Sequence, residues 1–315
     1  MVSVLAREDL GKATATTPVN GYTLTAPDGT TTPEGSVTVT GDNTYASPTV
    51  TATEAGTYTW HASYSGDAYN NAASDQGGTS EQVTVSPASP TITTTPSVTN
   101  VTLGTTAPTL KDTTDLEGGY SPTGTITFTL YQGSILVDTE TATVSGNGMY
   151  TTPTGYTLPT TGTVTGSYQW DPSYNGDGNN NTVSDTNNAN EQVVVSPASP
   201  MITATASPSS ITLNSTGPQV LSDSATLSGG YYPSGNISFT LFGPNDDIVY
   251  TTHVAVPNTN TYNASYTLPT NAVAGAYDWV VSYNGDANNN LATYASQEPT
   301  MVYKASPILM TVASP

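Results

Sequence analysis

The sequence has no cysteine and almost no positive charge. Lys and Arg together number 4 against 24 Asp and Glu, which gives a formal net charge of −20 over 315 residues. Each scarcity removes a class of function. Without Cys there is no disulfide, no thiolate nucleophile and no zinc–thiolate site. Four cations cannot assemble the phosphate contacts of nucleic-acid binding, and an anionic membrane surface repels such a chain. Charged residues make up 9% of the total, against about 25% in an average soluble domain. No apolar run approaches the roughly 18 residues of a membrane-spanning helix, so membrane insertion is not expected.

What is abundant favours strands. Thr is roughly a fifth of the chain, far above average usage, and Thr, Val and the 20 Tyr suit pleated sheets. Gly, Asn and Pro sit low on helix propensity and high in turns. Hydrophobic residues at 35% suffice for several thin cores rather than a disordered chain.

The organisation is a repeat. Tyr58-Thr-Trp60 is followed by Ser63-Tyr64-x-Gly66-Asp67-x-x-Asn70-Asn71. The pattern returns at Tyr168-Gln-Trp170 with Ser173-Tyr174-x-Gly176-Asp177-x-x-Asn180-Asn181. It returns again at Tyr277-Asp-Trp279 with Ser282-Tyr283-x-Gly285-Asp286-x-x-Asn289-Asn290. The spacing is about 110 residues. Ala88-Ser89-Pro90, Ala198-Ser199-Pro200 and Ala305-Ser306-Pro307 close the units, and Gly118-Gly119-Tyr120-x-Pro122-x-Gly124 is matched by Gly229-Gly230-Tyr231-x-Pro233-x-Gly235. Within a unit the period is two. Thr125-Ile-Thr-Phe-Thr-Leu130 and Asn236-Ile-Ser-Phe-Thr-Leu241 alternate polar and apolar residues, as half-buried strands do. Glu191-Gln-Val-Val-Val195 reads as a unit's last strand. Turn clusters every 8–12 residues or so suggest about seven strands per unit, the signature of a sandwich.

Gly56-x-Tyr58-x-Trp60, Gly166-x-Tyr168-x-Trp170 and Gly275-x-Tyr277-x-Trp279 keep the spacing of a tyrosine corner, with Trp where an immunoglobulin domain carries its second Cys. The indole would then fill the volume of the missing disulfide. On these motifs the whole chain resembles the tandem bacterial immunoglobulin-like repeats of secreted and cell-surface proteins. The expected fold is all-β, with tandem immunoglobulin-like β-sandwich domains in an elongated array. The expected units are residues 1–90, lacking a first strand, 91–200, 201–307, and an orphan first strand at 308–315. The resemblance implies an extracellular stalk, spacer or adhesive array with no catalytic residues and no cofactor.

The repeat frame is out of phase with the chain. Val2 to Leu10 aligns with the second strand of a unit, and Ile308 to Pro315 aligns with a first strand. Met1 to Asp9 has too few apolar residues for the core of a signal peptide. Two readings stay open: a stretch of a longer array, or a subunit whose Ile308, Leu309, Met310 and Val312 complete the first domain of the next copy, head to tail.

Other features are each weighed against a bland alternative. Asp67, Asp177 and Asp286 could bind Ca²⁺, but one Asp among carboxamides is poor in carboxylates, and an Asp-Asn turn explains the pattern. Tyr58, Trp60, Tyr168, Trp170, Tyr277 and Trp279 are expected in the core. Tyr64, Tyr174 and Tyr283 beside the turn are expected half exposed. Tyr231 and Tyr232 are the aromatics best placed to contact a glycan or surface ligand. Leu158-Pro-Thr-Thr-Gly162 reads like a sortase signal, yet it lies mid-unit in a Thr- and Pro-rich sequence, where chance explains it. His61 and His253 occupy unrelated repeat positions, and no serine and carboxylate arrangement accompanies them. Lys12, Lys111 and Lys304 do not recur at one place, as an isopeptide cross-link in every unit requires. Asn100, Asn180, Asn214, Asn236 and Asn263 head glycosylation sequons of the kind this composition produces by chance.

Overall fold

The computed structural model describes residues 17–18, 21–39, 43–67, 69–214, 217–257 and 261–312. Among these the chain is all β, with two 3₁₀ turns at Thr79–Glu81 and Ala189–Glu191. Strand ladders fall into three sets, within residues 17–85, 91–196 and 201–303. Each set surrounds its own buried apolar core.

The middle unit shows the plan. One sheet holds Thr91–Pro96, Asp112–Glu117 and Gly148–Thr151, all antiparallel. The other holds Ile135–Thr143, Thr125–Gln132, Gly166–Tyr174 and Gln192–Ser196 in spatial order. The first strand breaks at Pro96, and its continuation Asn100–Thr102 crosses to pair parallel with Val194–Ser196. Proline cannot donate to a ladder, so a crossing there costs no sheet hydrogen bond. The third unit repeats the plan with Met201–Ser207, Val220–Ser228 and Thr261–Thr267 facing Ile248–Ala255, Asn236–Phe242, Gly275–Tyr283 and Glu298–Tyr303. Ser210–Thr212 makes the parallel crossing.

The period-two reading is realised residue by residue. In Thr125–Gln132 the residues Ile126, Phe128 and Leu130 are buried while the threonines between them are not. The nine-residue strands Gly56–Tyr64, Gly166–Tyr174 and Gly275–Tyr283 bury every second side chain from the Tyr onward. This places Tyr58, Trp60, Tyr168, Trp170, Tyr277 and Trp279 in the cores, each under a tenth exposed. Trp279 meets Phe239 and Tyr250 edge to face at 6.3 and 6.0 Å, a geometry that suits the ring quadrupoles. The corner itself is present in all three units. The hydroxyls of Tyr58, Tyr168 and Tyr277 donate to the carbonyls of Glu54, Val164 and Val273, four residues upstream. Val2 to Leu10, expected as a second strand, lies outside the described residues, as does Lys12.

Candidate functional site: the joints between units

The Gly-Asp-x-x-Asn-Asn motif builds the joints. It follows the Trp strand, and the turn requires glycine. Gly176 and Gly285 have φ of 70° and 76°, and a Cβ there would lie 2.7 and 2.8 Å from the carbonyls of Asn180 and Asn289. The aspartate then acts as an anionic hub. Asp286 Oδ1 accepts from the Asn288 backbone N–H and Asn289 Nδ2 at 2.8 Å each. Its Oδ2 accepts from Ser234 N–H (2.7 Å), Ser234 Oγ (2.9 Å) and Tyr283 Oη (3.0 Å). Asp177 repeats the set with Asn179, Asn180, Thr123 and Tyr174.

Three consecutive asparagines divide the remaining work. Asn288 reaches back to the preceding unit, where its Oδ1 accepts from Val164 N–H (2.9 Å) and its Nδ2 donates to the Gly162 carbonyl (2.7 Å). Asn179 grips Ala55 N–H (2.7 Å) and the Thr53 carbonyl (3.2 Å) in the same manner. Next, Asn289 and Asn180 hold their own unit's Gly-Gly-Tyr turn through both backbone groups of Tyr231 and Tyr120. Last, Asn290 and Asn181 donate to Ser199 and Ser89 of the linker. The linker alanine is threaded between them. Ala198 N–H donates to the Asn288 carbonyl and its carbonyl accepts from Asn290 N–H, at 2.9 and 2.8 Å, and Ala88 does the same with Asn179 and Asn181.

Two joints share this chemistry but differ in one ring. Tyr231 is 0% exposed and belongs to the core of the preceding unit. Its hydroxyl bonds the carbonyls of Leu158 (3.2 Å) and Pro159 (3.1 Å). The equivalent Tyr120 stays 48% exposed beside a cavity of about 220 Å³ lined by Ala52, Ala55, Val85 and Ala88. Tyr231→Phe keeps the ring and removes the hydroxyl, so unfolding should shift by about 0.5–1.5 kcal/mol. Chemical denaturation of the two proteins side by side checks this.

The site corrects several expectations. Tyr64, Tyr174 and Tyr283 are buried rather than half exposed, because each hydroxyl must reach the hub aspartate. Tyr231 is a joint residue and unavailable to a ligand, while Tyr232 remains 46% exposed. Leu158-Pro-Thr-Thr-Gly162 is the loop that the next unit grips, through Tyr231 and Asn288. Asn180 is buried with its amide committed to Tyr120 and Asp177, so that sequon is closed. Asn100, Asn214, Asn236 and Asn263 are exposed. His253 does have a serine neighbour, with Ser238 Oγ 2.9 Å from its Nδ1. Ser238 donates instead to Asn284 Oδ1, so the imidazole N–H must donate to Ser238, the reverse of general-base activation. His61 Nε2 bonds Thr25 Oγ1. Lys111 and Lys304 are exposed.

The aspartates are electrostatically suited to hubs. Burial pushes Asp177 and Asp286 upward, but the donors from Asn180 and Thr123, or Asn289 and Ser234, outweigh it and hold both below the usual carboxylate range. Asp67 is also lowered, chiefly by Tyr69 N–H. Their lone pairs already face N–H and O–H donors, which a Ca²⁺ ion would have to displace. Among the described residues no group of three or more Asp, Glu or His side chains is placed to hold a metal ion. The repeat exposed all these residue types in the sequence. What it concealed was that the asparagine before the recurring Asn-Asn pair reaches another unit, because Tyr69 fills that place in the first unit.

Solved structures that match this chain include a 1.5-MDa bacterial ice-binding adhesin, in work on its retention at the host cell surface. The match covers 92% of this chain and 88% of that one, at 16% identity and a TM-score of 0.29. A Salmonella alpha-2-macroglobulin reacted with methylamine matches over 94% of this chain at 11% identity and a TM-score of 0.25. Trypsin-activated alpha-2-macroglobulin from Escherichia coli matches over 96% at 14% identity and a TM-score of 0.25. This chain spans 22% of the length of each macroglobulin. No protein-family model and no curated protein matches the sequence. At these TM-scores the likenesses add no argument about function, which rests on the joints.

Proposed function

We propose that the chain is a non-catalytic extracellular array whose work is mechanical: to hold successive β-sandwiches at a fixed spacing as a stalk, spacer or fibre. The observation that carries this reading is where the joint's two halves lie. In the middle unit the loop gripped by the next unit, Gly162 to Val164, precedes the strand Gly166–Tyr174. The loop that grips the unit before, Asp177 to Asn181, follows the same strand. A strand of nine residues is about 30 Å long, so each unit is entered and left at opposite ends. Joints placed this way build a line rather than a cluster.

The composition supports the same role. Three of the four cationic residues, Arg7, Lys12 and Lys304, lie towards the chain's ends, which leaves trypsin-like proteases few sites in the folded units. A net charge of −20 limits lateral clumping. Small-angle X-ray scattering tests the reading. The three units should behave as a stiff rod on the order of 100 Å long. The double variant Asn179→Ala and Asn288→Ala should remain folded but give the scattering of units on flexible tethers. Flexible scattering from the parent protein, or no change in the variant, sinks the proposal.

A second reading has its own observation. Ile308, Leu309, Met310 and Val312 are 86, 91, 80 and 91% exposed, whereas the aligned residues Thr91–Pro96 and Met201–Ser207 are paired strands. The third unit also carries the receiving loop, with Val273 exposed where Val164 is buried. In this reading a second copy supplies the partner, and the chain polymerises head to tail. Negative-stain microscopy of the chain beside a version ending at Pro307 separates the two. Fibres that disappear with the shorter chain support the filament, and equal single rods in both reject it.

A further inference from the structure

Each of the last two units buries a pair of carboxyl groups between its sheets. In the middle unit Asp112 lies on the inner face of Asp112–Glu117 in one sheet, and Glu191 ends the 3₁₀ turn that opens Gln192–Ser196 in the other. Both are 0% exposed. In the third unit Asp223, on Val220–Ser228, is 1% exposed and faces the half-buried Glu298, the first residue of the strand Glu298–Tyr303, whose Oε2 is buried. The aligned positions are the same, so the arrangement is built twice.

The hydrogen-bond inventory makes these pairs unusual. Asp112 Oδ2, both oxygens of Glu191, Asp223 Oδ2 and Glu298 Oε2 are buried without a hydrogen bond of normal geometry, although the Thr94 hydroxyl near Glu191 and the Ala206 N–H near Glu298 act to hold these two acids down. Asp112 Oδ1 accepts from Thr113 N–H at 2.8 Å, and Asp223 Oδ1 accepts from Thr205 N–H at 3.1 Å. The other charged group facing the middle pair is a further acid, Asp185, itself bonded by Thr94 Oγ1 (2.7 Å) and Asn188 Nδ2 (2.8 Å). In the third unit Asp223 and Glu298 face each other, with no other charged group against them among the described residues, and the Ser224 and Ala206 N–H groups hold them down in part. Lys111, next to Asp112, is on the exposed face. Two carboxylates brought together with no cation between them, and with buried oxygens left without a hydrogen bond, are an expensive arrangement. One added proton turns an acceptor into a donor and satisfies both partners.

We propose that Asp112 with Glu191, and Asp223 with Glu298, each hold one shared proton at neutral pH, forming a proton-dependent clasp between the two sheets that opens in alkali. Burial, and after it the facing carboxylate, push Asp112 and Glu298 above the ordinary range, and burial does the same for Glu191 and Asp223. A carboxyl raised on folding binds more protons folded than unfolded. Its contribution is therefore full below the unfolded value, near pH 4, and is lost as the pH rises through the folded value. These units are built to be firmest in mildly acidic surroundings, where the hub aspartates of the joints are still ionised.

Two measurements on the whole chain test the clasp. Infrared difference spectra at neutral pH should show protonated carboxyl absorption in the parent and lose it in the double variant Glu191→Gln and Glu298→Gln. Gln places an amide donor where the proton sat, so the variant should stay folded. The parent should lose several degrees of melting temperature between about pH 5 and about pH 9, and the variant should lose little. Absence of a protonated carboxyl in the parent, or the same alkaline loss in both proteins, overturns the proposal. If the variant fails to fold, the parent's infrared spectrum decides alone.

Discussion

Trp170→Ala is expected to destabilise the middle unit by about 3–5 kcal/mol, the range for emptying a large aromatic site in a packed core. Trp170 is 0% exposed, on a strand paired on both sides, with Leu130 directly across. Nothing around it can collapse easily, since Ile126, Phe128, Leu130, Val193 and Val195 are already in place in the same core. No disulfide stands behind it, the sequence having no Cys. The damage should also cross a joint. The Tyr231 ring, from the third unit, packs into this core, so loosening the core withdraws part of the third unit's anchor. Calorimetry should show the middle unit's transition moved down and the third unit's moved with it. The matching change Trp60→Ala should leave the third unit unaltered, because it lies in a separate core. A third-unit transition that ignores Trp170→Ala would show that Tyr231 contributes little to coupling.

How much of this was readable from residues alone depends on the distance over which each residue acts. The alternation in Thr125–Gln132 is local, so the strand and its buried face follow from the sequence. The Gly-x-Tyr-x-Trp corner is local too, with its hydroxyl bonding only four residues back. Tyr174 and Tyr283 were misread because the hub that draws each one inward spans a turn, and a tyrosine beside a turn looks solvated. Asn288 reaches across 126 residues to Gly162, and no period or propensity encodes such a bond. Asp112 stands on a strand of one sheet and Glu191 on the 3₁₀ turn that opens a strand of the other, so only the folded chain reveals that two ordinary acids share one dry space. The sequence therefore discloses what each unit is, while the contacts between units and between sheets emerge from the packing.

Asp286→Ala should have the second large effect, and it should act on the joint more than on the core. The substitution removes one acceptor and leaves five donors without it: two from Ser234, two from Asn288 and Asn289, and the Tyr283 hydroxyl. Asn288 and Asn289 are largely buried, and the Ser234 groups are the exposed ones that can turn to water. Tyr283 is 0% exposed and cannot. Hydrogen bonds to a charged group contribute about 1.5–3 kcal/mol each, and a buried orphan costs about 1–3 kcal/mol. Water recovers part of that, so a loss of about 3–4 kcal/mol for the third unit is the expected total. Tyr283→Phe removes a single buried donor and should cost about 1 kcal/mol, which makes it the control for the ring's own packing. Asn288 and Asn289 are oriented by the same carboxylate, so the grip on Gly162 and Val164 should fail together with the hub. Scattering should then show a bend at the second joint while the first, held by Asp177, stays stiff. The charge matters as well as the shape. Asp286 is held below the ordinary carboxylate range, so its contribution is present above the unfolded value near pH 4 and is lost as the pH falls through the folded value. Asp286→Asn should therefore soften the second joint at neutral pH and erase its acid-induced loosening. A stiff, acid-sensitive second joint in that variant would place the hub elsewhere.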